Sequence, residues 1–176
     1  MNLQYKEFLP ADFADDSRVW IYQSQRMFGI SEALSIGNML EDFAKDWKSH
    51  GTPVKGFAKL LFGQFIIIMA DETATGVSGC STDSSVRVIK EIEKTFQVQL
   101  FDRLSLAFYI KDKIQLLPIA QLPYALDNHF VDGETLYFNN TVQTRGELVT
   151  NWIIPMKTSW LASKYLKKGA AGATAG

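Results

Sequence analysis

The chain has 176 residues, 47% of them hydrophobic, with 18 Lys plus Arg against 19 Asp plus Glu and a formal net charge of −1. That length suits one domain with an elaboration, and the apolar content excludes wholesale disorder. The near-zero charge excludes a global basic field for nucleic acid, and a mean hydropathy of −0.04 argues against a membrane protein.

Residues 1–17 place Phe8, Leu9 and Phe13 among acids and Pro10, which predicts a loosely docked arm. Arg18 to Gln23 is a β-branched and aromatic run and predicts a strand. Ser31 to Ser49 predicts a helix. Ser31 is placed to cap it, and Ile36, Met39, Leu40, Phe43 and Trp47 make one apolar stripe. Gly51 and Pro53 are placed to stop it. Phe65 to Met69 is a continuous apolar run, the pattern of a strand covered on both faces. Gly63, just before it, marks either a bulge or a hairpin turn.

Val77 to Cys80 reads as a short strand, and a second helix follows from Asp83 to Phe96 with the stripe Val86, Ile89, Ile92 and Phe96. Leu104 to Ile110 is the next strand. This order, strand, helix, one or two strands, helix, strand, predicts an α+β fold of the ferredoxin-like, split βαβ kind. Its antiparallel sheet would carry both helices on one face. The remainder is a C-terminal strand–helix elaboration. Lys111 to Lys113 is a turn into strand Ile114 to Pro118, and a short helix disturbed by Pro123 comes next. Strand Thr135 to Phe138 follows. Thr144 and Glu147 have capping-box spacing, and a last short helix carries Trp160, Leu161 and Tyr165. Residues 18–168 are expected to form a single domain, and the Gly/Ala-rich residues 169–176 a flexible tail.

Cys80 is the only cysteine, and His50 and His129 are the only histidines. An intrachain disulfide and a zinc site needing two thiolates are therefore excluded, and no metal or cofactor is expected. Met1 to Glu7 lacks a basic region leading into an apolar one, so a cytoplasmic location with a reduced thiol is expected. The most chemically suggestive segment is Ser78 to Ser85, where five hydroxyls, Cys80 and Asp83 precede a helix. Orphan N–H groups at a helix start can bind an anion or favour a thiolate, and the same residues are ordinary helix caps. Ser81, Thr82, Asp83, Ser84 and Arg87 are the ligand-binding candidates, and Cys80 is the catalytic candidate. Asp83 and Arg87 are spaced to pair on one helical face. Asn139, Asn140 and Gln143 form a second polar cluster, best read as a turn. Strand aromatics such as Trp20, Tyr22, Phe108 and Tyr109 could stack on bases, but the RNP pattern and the positive charge that RNA binding needs are missing.

Residues 17–24, 78–87, 101–104, 138–144 and 157–160 resemble a small family of uncharacterised bacterial proteins often labelled ABC transporter ATPase. The resemblance spans about residues 17–162 and implies a single family domain with an ATPase-associated role. The sequence has no G-x-x-x-x-G-K-[ST] phosphate loop, and its nearest glycine-rich segment, Gly76 to Thr82, contains no lysine. The leading expectation is a non-enzymatic cytoplasmic binding or regulatory module for a protein or a small anionic ligand. The alternative is a small enzyme using Cys80 and its neighbouring hydroxyls. No nucleic-acid or membrane partner is expected, and the oligomeric state is not encoded in any pattern found here.

Overall fold

Residues 1–73 and 79–166 are described by the structure, a computed structural model, with the backbone alone for 79–81. Seven elements precede residue 100: β1 (Arg18–Gln23), α1 (Ile30–Asp46), β2 (Lys48–Ser49), β3 (Thr52–Pro53), β4 (Lys55–Leu61), β5 (Phe65–Asp71) and α2 (Gly79–Phe96). Seven follow: β6 (Ser105–Ile110), β7 (Lys113–Pro118), α3 (Leu122–Asp127), β8 (Leu136–Phe138), α4 (Arg145–Asn151), β9 (Ile153–Pro155) and α5 (Trp160–Tyr165). The result is a mixed α and β fold with antiparallel sheets. The expected single domain over 18–168 divides into two compact units, one of Met1–Asp102 with Asn140–Trp152, the other of Arg103–Asn139 with Ile153–Gly176. The tail expected at 169–176 lies outside the described residues.

In the first unit β5 is the middle strand, with β1 on one side and β4 on the other. Every residue of β5 is buried, as its unbroken apolar sequence requires. Ile66, Ile68 and Ala70 face a core that includes Tyr22 of β1, Ile36 and Leu40 of α1, and Ile89 and Ile92 of α2. On the opposite face, Phe65 meets Trp152 edge to face at 5.5 Å, and Tyr5 meets the same indole at 4.7 Å. The N-terminal arm is therefore docked, not loose: Tyr5, Leu9 and Phe13 are buried, and the Tyr5 hydroxyl donates to the Leu148 carbonyl at 2.6 Å. Burial pushes the Tyr5 phenol up to about 12. The arm supplies apolar cover that the sheet's second face needs and that no long helix provides.

Gly63 is a hairpin residue and not a bulge in one long strand. Phe62 and Gly63 both take left-handed backbone (φ 55° and 63°), and the Gln64 N–H closes the turn on the Leu61 carbonyl. Positive φ at both central residues gives the turn a twist that matches the flanking strands. Gly56 has a packing reason: a Cβ there would lie 2.6 Å from the Trp47 ring. Both helix starts differ from expectation. Gly29 is the N-cap of α1, and its N–H is taken by the Glu32 carboxylate at 2.7 Å. Arg26 grips the same carboxylate from both of its terminal nitrogens. These bonds, that of Arg26 first, hold the Glu32 carboxyl down near 2. At its other end α1 stops at Asp46, and Lys48 to Pro53 forms a tight hairpin whose turn residues His50 and Gly51 have positive φ. His50 is thus a turn residue.

The split βαβ order is met by three strands only. β6, expected in the same sheet, belongs to the four-stranded sheet β7-β6-β8-β9 of the second unit. In the first unit the outer edge of β1 is closed by the segment before α4. Val19 donates to the Gln143 carbonyl at 2.8 Å, and Arg145 donates to the Ser17 carbonyl at 2.9 Å. In the second unit Lys111 and Asp112 turn β6 into β7 with positive φ at both. Pro123 sits in the first turn of α3, where its missing N–H costs nothing. Thr144 caps α4 as its spacing predicts, by accepting from the Glu147 N–H. The Glu147 carboxylate reaches back one residue further, to the Gln143 N–H. The second unit has its own core, with Phe108, Leu122, Met156 and Leu161 fully buried.

Ile67, on the arm-facing side of β5, is fully buried. Ile67→Ala is expected to cost about 2–5 kcal/mol of folding stability, read as a lower urea midpoint. An unchanged midpoint would contradict the two-sided burial of β5. Asp71 ends the same strand, with its carboxylate held by the Thr73 hydroxyl at 2.7 Å, by the Thr73 N–H and by Lys55. These contacts, those of Thr73 first, lower the carboxyl from 3.8 to about 2. A depressed carboxyl stabilises the fold above its unfolded value and loses that contribution as pH falls through the folded one. Urea midpoints should therefore decline between pH 4 and 2, and less steeply in Asp71→Asn.

Candidate functional site

β4 is an edge strand: on one side it pairs with β5, and no strand among the described residues pairs with the other. Two bonds at β1 set the register of the whole sheet. Ser24 donates inward to the Gln64 carbonyl, whereas Val19 donates outward to Gln143. In an antiparallel ladder a residue's N–H and C=O point to the same side, and successive residues alternate. Even-numbered residues of β5 therefore bond β1, and odd-numbered ones bond β4. Through the pairs Leu61↔Phe65, Lys59↔Ile67 and Phe57↔Met69, the odd residues of β4 turn inward. Gly56, Ala58 and Leu60 turn their N–H and C=O groups out to the open edge.

Alongside that edge runs α1. The two elements enclose a groove of about 700 Å³ lined on the helix by Ile30, Ala33, Leu34 and Gly37, then by Asn38, Glu41 and Ala44, and on the strand by Gly56 to Leu60. Ile30 is 85% exposed and Leu34 68% exposed, so large apolar side chains stand open to water at one wall. Ala33 and Gly37 keep the floor low. Edge strands in native proteins are commonly blunted by charged side chains, lysine above all, by proline, by bulges or by covering loops. β4 contains no proline, and Lys55 and Lys59 are its only charged residues. Lys55 is committed within the fold, to the Asp71 carboxylate and the Asp12 carboxylate at 3.1 Å each.

Sequence reasoning passed over this groove. Its one legible signal is the pair Ile30 and Leu34, apolar residues four apart that fall off the core stripe of α1. The residues it nominated instead are distributed otherwise. The Cys80 and Ser81 side chains lie outside the described residues, as does Ser78. Helix α2 already begins at Gly79, so Thr82, Asp83, Ser84 and Ser85 lie in its first two turns and not in a loop before it. Ser85 is buried and donates to the Thr82 carbonyl at 2.7 Å. Asp83 and Arg87 are both exposed, and no ion pair joins them. Long exposed side chains gain too little from such a pair to hold one geometry.

Ser84 and Arg87 do share a cleft of about 510 Å³ between α1 and α2. Asp42, Asp46 and Glu91 line it too, with Lys48 as its second cation. Three carboxylates against two cations do not make an anion site. Asn140 is an internal connector: its amide donates to Gln23 at 2.9 Å and accepts from the Trp152 indole at 3.0 Å. Trp20 and Tyr22 pack toward the helices and are not a stacking platform. Among the described residues, no group of three or more His, Cys, Asp or Glu is placed to hold a metal, and no helix is long and apolar enough to cross a membrane.

The register makes a direct prediction for hydrogen exchange. The amides of Gly56, Ala58 and Leu60 should exchange much faster than those of Phe57, Lys59 and Leu61, which bond β5. Uniform protection along β4 would mean that its outer edge is already covered.

No family model matches the sequence, and comparisons with curated proteins and with solved structures return no match.

Proposed function

We propose that the protein is a non-enzymatic binding module that takes up an extended segment of a partner polypeptide along β4, beneath the flank of α1. One observation carries this reading: three consecutive outward-facing backbone positions, Gly56, Ala58 and Leu60, lie beside an exposed apolar helix wall. An added strand would satisfy those N–H and C=O groups, and its side chains on the helix side would bury Ile30 and Leu34. Main-chain bonds supply affinity in this mode, and the helix-facing side chains supply selectivity. Of the two partner classes expected from sequence, protein and small anion, the geometry favours the first. The cleft holding Ser84 and Arg87 has an excess of carboxylate, and the groove is mainly apolar, with Glu41 as the charged residue on its helix side.

The test is titration with a nine-residue peptide of alternating valine and threonine, followed by hydrogen exchange. Binding should slow the amides of Gly56, Ala58 and Leu60 and leave those of α2 unchanged. Leu34→Glu places a charge on the helix wall. It should weaken binding by about tenfold or more while shifting stability by no more than about 0.5 kcal/mol, since the site is exposed. Peptide binding that leaves the β4 amides unprotected, or that Leu34→Glu does not affect, would overturn the reading.

A further inference from the structure

We propose that the segment taken up on β4 presents a carboxylate opposite Lys59, flanked by apolar residues turned toward α1. This inference rests on the reading of β4 as a strand-accepting edge and names the chemistry of its partner. Lys59 lies near the middle of β4, and its own N–H and C=O are turned inward to Ile67 of β5. Relative to a strand added outside, it therefore occupies a non-hydrogen-bonded position. There the directly opposite side chains approach most closely, and opposite charges stabilise the pair.

Lys59 is exposed, and its ammonium lies 5.1 Å from the Phe8 ring centroid. It makes no ion pair among the described residues, although Glu7 lines the same surface. Lys55, the other cation of β4, already has two carboxylate partners. The edge thus offers one uncompensated positive charge on the face away from α1. On the face toward α1 the wall is apolar where Ile30, Ala33, Leu34 and Gly37 form it and turns polar at Asn38 and Glu41. Side chains of an added strand alternate between those two faces, so the complementary pattern is apolar, acidic, apolar. A basic residue at the central position would meet Lys59 at the shortest cross-strand distance and be rejected.

The experiment uses three nine-residue peptides with valine at alternate positions, threonine between them, and glutamate, glutamine or lysine at the centre. Affinities are measured at low and high salt against the full chain, Lys59→Gln and Lys59→Glu. The full chain should bind the glutamate peptide about tenfold more tightly than the lysine peptide, as expected when an opposite-charge pair replaces a like-charge one. The gap should narrow with salt. Lys59→Gln should abolish the preference, and Lys59→Glu should reverse it. Equal binding of all three peptides by the full chain would overturn the charge assignment while leaving strand addition standing. Binding of none of them would overturn the underlying reading of the edge. A stable dimer whose Gly56, Ala58 and Leu60 amides are protected without peptide would overturn both, because a second copy would then fill the groove.

Discussion

Burial of β5 on both faces is the constraint from which the first unit is built. Seven consecutive residues, Phe65 to Asp71, are removed from water, so each face of one three-stranded sheet needs its own apolar cover. The amphipathic helices α1 and α2 provide one cover. The other is assembled from pieces far apart in sequence: Tyr5, Leu9 and Phe13 of the arm, and Leu148 and Trp152 in and after α4. Their polar groups are satisfied in the same step. The Tyr5 hydroxyl donates to the Leu148 carbonyl, and the Trp152 indole donates to Asn140, which in turn donates to Gln23. Two-sided burial leaves little room for an unpaired polar atom, and these bonds are how the sheet accommodates its arm.

The two edges of that sheet are treated differently. The residues leading into α4 bond the outer side of β1, so the chain itself terminates the ladder there. β4 has no such partner among the described residues, and the first turns of the helix beside it leave isoleucine and leucine exposed before the flank turns polar at Asn38 and Glu41. An open backbone edge and an exposed apolar wall are each a liability alone. Side by side, with Ala33 and Gly37 low enough to admit another chain, they form a receptor-like groove. Lys59 adds a sign to it, whereas Lys55 is spent on Asp12 and Asp71.

Local signals in the sequence were read well where a single element's physics decides the outcome. The strand Arg18 to Gln23, the stripe of α1, the cap at Thr144 and the Lys111–Asp112 turn follow from alternation, period and turn chemistry. The errors cluster where two elements compete. Helical periodicity continues to Trp47 and predicts an α1 that runs to Ser49. In the structure Trp47 instead packs over Gly56, and Lys48 to Pro53 becomes a hairpin. Phe8, Leu9 and Phe13 lie among acids and Pro10 and predict a loose arm, whereas Tyr5, Leu9 and Phe13 are buried. They are held by what lies across the sheet, which no local window contains. Helix α2 begins earlier than expected because Ser and Thr serve equally as caps and as first-turn residues.

Sequence alone therefore determined most of the long strands and helices and that Phe65 to Met69 must be covered on both faces, since a continuous apolar run is stable only away from water. It also determined that the chain has no phosphate loop and cannot close a disulfide within itself. Tertiary structure alone decided which strand edge stays open, that β6 leaves the first sheet, and that Ile30 and Leu34 stand beside unpaired backbone groups. Those outcomes depend on pairing between distant segments, and the backbone N–H and C=O groups that do the pairing are identical in every residue but proline. No side-chain pattern can announce them.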